Sequence, residues 1–177
     1  MKLHPIPFLA LLVAACGTSS EASGPSQREL LEKAQELGVR NVRAPFPGVL
    51  TAGQFDPAQF NELVEAGVHT FVNLRVPTEE GTGWEAEKAS ELGVDYVSIP
   101  IAGIPDVTEA NARHLSEVVD AAAKPVMVYC GSSNRVGALF ALKAHYVDGE
   151  SPEQSIEIGK SAGMTRLEPE VRAVLGM

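Results

Sequence analysis

The chain has 177 residues, of which 45% are hydrophobic and 21% charged, and its formal net charge at pH 7 is −9. This length and composition suit one globular domain with a core of its own, and they exclude a repetitive or collagen-like chain. The charge is acidic overall and the chain has no basic stripe, so nucleic acid is not an expected partner.

The first part of the chain contains an apolar run at residues 6–15 that ends at Cys16. Such a run is too short to span a bilayer as a helix and is typical of a signal peptide. With small residues before the cysteine, it resembles a bacterial lipoprotein signal. The resemblance implies that residues 1–15 are removed and that Cys16 carries lipid, which would anchor the protein in the cell envelope. We then expect a periplasm-facing protein, in the outer membrane if the organism has one.

Beyond this segment, we expect residues 16–26 to form a flexible polar tether and residues 27–177 to form the folded domain. In that domain short β-rich runs alternate with stretches of helical periodicity. The alternation predicts an α/β fold with a short, mainly parallel sheet of four or five strands flanked by helices. Strands are predicted at 48–52, 68–74, 94–99 and 125–129. Helices are predicted at 27–38, 56–67, 82–92, 108–124 and 135–149, from 151 onward, and at 168–175.

Three polar residues follow the predicted strands, namely Arg75, Asp106 and Cys130. Because the carboxyl ends of parallel strands meet at one edge of a sheet, where α/β proteins bind ligands, we expect these residues to gather there. Arg75 is expected to pair with Glu79 or Glu80 and so to hold its own loop, since arginine and carboxylate pairs commonly fix loops; contact with the substrate is the alternative.

The loop between Cys130 and Arg135 has the composition of an anion-binding loop. Its N–H groups can turn towards an anion, the following helix adds positive potential, and the arginine can hold two oxygens in a bidentate fork. The same field stabilises a thiolate on Cys130, which could attack phosphorus. An ordinary turn is the alternative, but a cation at a helix start opposes the helix dipole unless an anion lies beside it. The predicted phosphate-binding residues are Gly131, Ser132, Ser133, Asn134 and Arg135.

Short motifs at or beside the four predicted strands match a known pattern in order and spacing. They are AGQ at 52–54, FVNLR at 71–75 with two glutamates after it, YVSIP at 96–100, and PVMVYC at 125–130 followed by Arg135. Together they resemble the bacterial phosphatase-like domain also found beside metallo-β-lactamase-type hydrolases, a branch of the cysteine-dependent tyrosine and dual-specificity phosphatase superfamily. The resemblance implies a four-stranded sheet flanked by helices, and hydrolysis of a phosphate monoester through Cys130 and Arg135.

The loop departs from the usual phosphatase pattern at several positions. Four residues separate Cys130 from Arg135 where most of these phosphatases have five, Tyr129 stands in place of a histidine, and Val136 replaces a hydroxyl residue. The shorter spacing resembles that of rhodanese sulfurtransferases, although relatives in the phosphatase-like branch also carry it. A sulfurtransferase with a persulfide on Cys130 and an inactive phosphate-binding module therefore stay open beside a weakly active phosphatase.

Departure of an alkoxide or phenolate needs a proton donor on a loop that faces the cysteine. Asp106, in the predicted loop 100–107, is the candidate general acid, and Glu109 is its substitute. The alternative for Asp106 is a structural role, because acids are also favoured where a helix starts. The histidines show no metal-ligand spacing, so neither a metal nor a cofactor is expected. The expected partners are a phosphorylated substrate and, through the lipid, a membrane.

Overall fold

The computed structural model describes residues 24–177. The strands are β1 Arg43–Phe46, β2 Val49–Ala52, β3 Thr70–Asn73, β4 Asp95–Ser98 and β5 Val126–Tyr129. The helices are α1 Gln27–Glu36, α2 Pro57–Glu65, α3 Glu85–Leu92, α4 Glu109–Ala121, α5 Asn134–Tyr146, α6 Pro152–Ser161 and α7 Glu168–Val174, with a 3-10 helix at Ile104–Asp106. The predicted signal peptide, its lipidation site Cys16 and most of the predicted tether lie outside the described residues.

The strands form one five-stranded sheet in the order β1-β2-β5-β3-β4. Strands β2, β5, β3 and β4 run parallel, and β1 pairs with β2 antiparallel. The predicted α/β architecture with a short, mainly parallel sheet is therefore confirmed. Its central strand β5 is buried along its whole length, as expected for a strand with neighbours on both sides and helices on both faces.

Strand β1 was not predicted from the sequence. Its four residues include Arg43 and Pro45, and all of them are only partly buried. Proline and partial exposure are compatible with a strand at the edge of a sheet, where one row of backbone groups has no partner strand. The strand therefore depends on pairing with β2 more than on its own composition.

Most of the predicted helices start at the residues that the sequence marks as caps. Ser26, Asp56 and Ser151 accept hydrogen bonds from the N–H groups three residues further on, and so begin α1, α2 and α6. The predicted start of α3 at 82 is wrong by three residues. The Thr82 hydroxyl donates to the carbonyl of Glu79 at 2.8 Å and keeps this segment in a turn.

The two faces of the sheet carry separate hydrophobic clusters, and side chains alternate between them along β5. One cluster lies under α4 and α5 and includes Val126, Val128, Leu115, Leu139 and Cys130. The other lies under α1, α2 and α3 and includes Met127, Tyr129, Leu30, Phe60 and Leu63. A third cluster joins α5 to α6 and α7. The end of β5 is thus held from both sides of the sheet.

Helices α5 and α6 approach each other through two glycines. A Cβ atom on Gly137 would meet the backbone N of Met164 and lie 2.5 Å from the carbonyl oxygen of Gly159. A Cβ atom on Gly159 would lie 2.7 Å from the Cβ of Ala141. This close packing fixes α6, and the turn after it, against the helix that follows the loop 130–135. Within residues 24–177, no helix is both long and apolar enough to cross a bilayer.

Candidate active site

Cys130 lies directly after the central strand, at the carboxyl edge of the sheet. Its side chain is 1% exposed and forms no disulfide. Its N–H group donates to the carbonyl of Ala52 at 3.2 Å, which continues the pairing between β5 and β2. As predicted, Arg75 lies at the same edge, two residues beyond the end of β3.

The backbone of the loop after Cys130 is bent by a left-handed residue. Ser133 has φ 66° and ψ −6° and begins α5 as its N-cap. The amide N–H groups of Gly131, Ser132, Asn134 and Arg135 have no hydrogen-bond acceptor among residues 24–177. Unpaired N–H groups around a left-handed turn and at a helix start form the kind of concavity that binds anions.

Two side chains of the loop are turned away towards the segment between α6 and α7. The Ser133 hydroxyl donates to the carbonyl of Ala162 at 3.0 Å. The Asn134 Oδ1 atom accepts from the N–H groups of Thr165 at 2.8 Å and Leu167 at 3.3 Å. These side chains therefore support the loop, and any contact of the two residues with an anion would come from the backbone.

The Arg135 guanidinium is held by one edge and leaves another edge unused. Its Nη1 and Nη2 atoms donate to the two carboxylate oxygens of Glu79 at 2.6 and 2.8 Å, and Nη1 also donates to the carbonyl of Ile101 at 2.6 Å. Among the described residues, no carboxylate or carbonyl accepts from Nε–H or from the second Nη2 hydrogen. The Cys130 side chain lies within hydrogen-bonding reach of the guanidinium and, after Glu79, raises the pKa of Arg135. These two donors form a fork that can hold two oxygens of one phosphate.

Glu79 links this arginine to Arg75. The carboxylate also lies 3.4 Å from the Arg75 Nε atom, and Arg75 donates further to the carbonyls of Glu80 and Gly81. The Arg135 guanidinium is the main cause that lowers the pKa of Glu79 to about 2, against the opposing effect of burial. Glu79 in turn raises the pKa of Arg135, and the negative charge of a Cys130 thiolate raises it further. The predicted pairing of Arg75 is confirmed, whereas the contact of Glu79 with Arg135 was not predicted.

Asp106 lies on the 3-10 helix Ile104–Asp106, in the loop predicted to face the cysteine. Its carboxylate accepts from the N–H group of Ala102 at 2.7 Å and so closes its own loop. The carboxylate of Glu109 is paired with Arg113 at 2.7 Å. Both acids are therefore engaged in local contacts, and the assignment of Asp106 as general acid stays a prediction.

A cleft of about 550 Å³ opens above the loop. Its lining includes no carboxylate side chain but three arginines, of which Arg40 and Arg166 were not singled out from the sequence. It is lined by Arg40, Gln54, Ala102, Gly103, Ile104, Gly131, Ser132, Asn134, Arg135, Arg166 and Leu167. Arg40 and Arg166 lie on turns, which carry no hydrophobic periodicity that could place them at the sheet edge. Within the described residues, no group of three or more histidine, cysteine or acidic side chains could hold a metal ion.

Two of the residues that depart from the usual phosphatase pattern, Tyr129 and Val136, lie in the hydrophobic core. Tyr129 is 1% exposed and packs against Phe55, with ring centroids 4.5 Å apart, on the face of the sheet opposite to Cys130. Burial raises the pKa of Tyr129 well above its ordinary value, so its phenol stays neutral. Val136 is fully buried in the same hydrophobic cluster as Cys130. Both residues therefore contribute packing around the loop.

Sequence comparison gives one informative relative, and no protein-family model matches the chain. A Beta-lactamase hydrolase-like protein from Agrobacterium fabrum is 33% identical over 117 residues, and the match covers 63% of this chain. The match covers only 27% of that relative's length. The relative's activity as a whole protein therefore says little about this chain.

Solved structures give a consistent fold. A "putative phosphatase (DUF442)" from Shewanella putrefaciens covers 82% of this chain and 94% of its own, with a TM-score of 0.59 and 23% identity. The PP-IP phosphatase SIW14 from S. cerevisiae covers 78% and 85%, with a TM-score of 0.58 and 13% identity. TpbA from P. aeruginosa, solved as a C132S variant with pTyr, covers 75% and 79%, with a TM-score of 0.51 and 16% identity. The chain has the α/β fold of these phosphatase-like structures, as the sequence predicts.

Proposed function

We propose that the protein hydrolyses phosphate monoesters through a phosphocysteine intermediate on Cys130. The observation that carries this proposal is the unused edge of Arg135, which lies in one loop with Cys130 and several unpaired N–H groups. Hydrolysis of a phosphate ester needs hydrogen-bond donors to the phosphoryl oxygens and a nucleophile. This loop supplies both within six consecutive residues.

The reaction begins with the phosphoryl oxygens bound by the loop N–H groups and by the Nε and Nη2 atoms of Arg135. The Cys130 thiolate attacks phosphorus, so that an S–P bond forms while the P–O bond to the leaving group breaks. The leaving oxygen takes a proton from Asp106, for which its carboxyl must release the Ala102 N–H group. Water then attacks phosphorus and gives one proton to the Asp106 carboxylate, the S–P bond breaks, and inorganic phosphate and the thiolate are released.

Glu79 is a positioning residue in this scheme. Its two oxygens hold the end of the Arg135 guanidinium, which aligns the free edge without competing for it. Because the pKa of Glu79 is lowered to about 2, the carboxylate stays ionised throughout the neutral range. The fork is therefore oriented before a phosphate arrives, which lowers the entropic cost of binding it.

The names of similar proteins support a phosphatase. The solved structures include a "PP-IP phosphatase" and a complex with pTyr, each on a chain with the same fold. The relative from Agrobacterium fabrum carries the name Beta-lactamase hydrolase-like protein. These names support phosphate ester hydrolysis in general and give no particular substrate.

The first test uses the purified full-length protein and para-nitrophenyl phosphate. We expect phosphate release that Cys130→Ser abolishes, because serine cannot supply an equivalent nucleophile at neutral pH. Both preparations carry Cys16→Ser, so that neither is lipidated and they differ only in the Cys130 thiol. Phosphate release that survives in Cys130→Ser would overturn the mechanism.

Asp106 is tested with two leaving groups in the same assay. If Asp106 donates the proton, Asp106→Asn lowers the hydrolysis rate of phenyl phosphate by about a hundredfold or more, and that of para-nitrophenyl phosphate much less. The nitrophenolate needs little protonation to leave. Equal losses with both substrates would instead mean that Asp106 only closes its loop through Ala102.

A sulfurtransferase is the second candidate, because four residues separate Cys130 from Arg135. The same preparation is therefore given thiosulfate and cyanide. Thiocyanate without phosphate release would favour a persulfide on Cys130 and reject the phosphatase. If neither product forms while vanadate still binds, the domain is an inactive phosphate-binding module and both enzymatic proposals fail.

A further inference from the structure

We propose that Arg40 and Arg166 form a second anion site in the cleft, and that the preferred substrate is a small phosphate ester bearing a second phosphate group. This proposal rests on the proposed function for the reacting phosphate, which binds at Arg135. The second site would bind the group that does not react. The second site would thereby favour phosphate esters that carry two phosphate groups over those that carry one.

Arg40 is fixed beside the loop by a backbone hydrogen bond of its own and by a side-chain hydrogen bond of its neighbour Asn41. The N–H group of Gly53 donates to the Arg40 carbonyl at 2.6 Å. The Asn41 side chain, on a residue with φ 51°, donates to the carbonyl of Ser132 at 3.0 Å. A Cβ atom on Gly53 would lie 3.1 Å from the Arg40 Cβ and 3.2 Å from its Cδ. The glycine therefore lets the arginine stem cross close to the strand end and reach the cleft.

Arg166 is fixed to the same loop by a different set of contacts. Asn134 accepts hydrogen bonds from the N–H groups of Thr165 and Leu167, the two residues that flank Arg166. The Asn134 side chain is buried, with the residue 8% exposed. The turn that carries Arg166 is thus attached to the start of α5, one residue before Arg135. Its geometry depends on the same loop that would bind the reacting phosphate.

Both arginines lack an acidic partner, although the protein is acidic overall. Within residues 24–177, neither side chain lies within 4.0 Å of a carboxylate, whereas exposed arginines on the helices are paired. Those paired arginines are Arg28, Arg113 and Arg172. Arg40 and Arg166, at a cleft whose lining includes no carboxylate, create a positive potential that attracts an anion, whereas the charge of Arg135 is balanced by Glu79.

The size of the cleft favours a small molecule. Its volume of about 550 Å³ lies within the range of small-molecule sites. Guanidinium groups suit phosphate because their planar donors match its oxygens. A monophosphate would use Arg135 alone, whereas a bisphosphate would also engage Arg40 and Arg166. The geometry therefore points to a bisphosphate of low molecular mass.

The test measures binding by calorimetry on the full-length protein. The probes are α,ω-alkane bisphosphonates of increasing chain length, each compared with the alkyl monophosphonate of the same length. We expect at least one bisphosphonate to bind about tenfold more tightly than the monophosphonate of the same length. This factor corresponds to the free energy of one charge-assisted hydrogen bond. The ratio is expected to fall in Arg40→Gln and in Arg166→Gln, and to approach one in the double variant. Arg28→Gln, which removes an exposed charge on α1, is the control and should keep the wild-type ratio.

The outcomes separate this proposal from the proposed function. A ratio near one for every chain length, or a ratio that persists in the folded double variant, would contradict the second site even if aryl phosphates are hydrolysed. Conversely, selectivity that depends on the arginines in a protein without hydrolytic activity supports the second site and contradicts the phosphatase. Circular dichroism of each variant shows whether it is folded, and the binding ratio cancels effects common to both ligands.

Discussion

Glu79 shows how one carboxylate can serve two loops. It holds the end of Arg135 from the loop after β5 and also contacts Arg75 from the loop after β3. Both arginine side chains are largely buried, at 14% and 3% exposed, so each needs a counter-charge. Removing the carboxylate would leave two buried cations and a guanidinium free to rotate.

We expect Glu79→Gln to lower the free energy of unfolding by about 2 kcal/mol at pH 7, after allowance for the partial exposure of the pair. The pKa of Glu79 is about 2 in the folded protein and 4.5 for an ordinary glutamate. Its contribution is therefore fully present above pH 4.5 and is lost as the pH falls towards 2. Urea denaturation of both proteins at a series of pH values should show the two stabilities converging over this range.

The control for this prediction is Glu117→Gln, which removes one charge from an exposed position on α4. It should change stability little at any pH. A difference between wild type and Glu79→Gln that is the same at pH 7 and at pH 2 would contradict the assigned role of the carboxylate.

At the scale of secondary structure, α5 connects the loop 130–135 to the rest of the C-terminal half. Its first residue, Asn134, holds the turn after α6, and its fourth residue, Gly137, allows α6 to approach. Both contacts fix the segment that carries Arg166. The position of the proposed second anion site thus depends on the packing of α5 against α6.

Gly137→Ala is expected to destabilise the protein by about 3 kcal/mol or more. Alanine normally favours a helix over glycine by up to about 1 kcal/mol. Here its Cβ would meet the backbone of Met164 and Gly159, and backbone atoms cannot move aside as a flexible side chain can. The midpoint of urea denaturation measures the loss. Gly24→Ala, where a Cβ would meet no atom of residues 24–177 within 4 Å, is the control. Equal midpoints for the two variants would refute the close-packing argument.

At the scale of the whole molecule, the described fold begins with Ser26 as the cap of α1. The lipid anchor on Cys16 lies outside the described residues and stays a prediction from the sequence. If it is correct, the cleft above the loop 130–135 is tethered near a membrane surface, which would restrict the substrates it meets. The tether of residues 16–26 would then set the reach of the cleft from that surface.

Cys16→Ser is expected to abolish incorporation of an alkyne-labelled fatty acid and to move the protein out of the membrane fraction. The reason is that the sulfur atom is the site of lipid attachment in the signal that this segment resembles. Labelling of cells expressing either variant, followed by fractionation, makes the comparison. Cys130→Ser is the control and should be labelled as wild type; labelling that persists without Cys16 would reject the lipoprotein assignment.

The sequence by itself determined the order of strands and helices, the parallel sheet and the loop after β5. Hydrophobic periodicity and caps are local signals, and the apolar strand 125–129 with Cys130 and Arg135 after it can be read without any long-range contact. Edge strand β1 and the start of α3 escaped prediction because pairing with β2 and a turn bond of Thr82 decide them.

Tertiary structure alone decided which charges meet at the site. The pairing of Glu79 with Arg135 joins residues 56 positions apart, and Arg40 and Arg166 come from opposite ends of the domain. Such contacts depend on how layers of helices pack on a sheet, which no local pattern of residue types records. Local patterns therefore point to Cys130 and Arg135 as the candidate pair, and only the folded chain shows which edge of Arg135 faces Glu79 and which further arginines line the cleft.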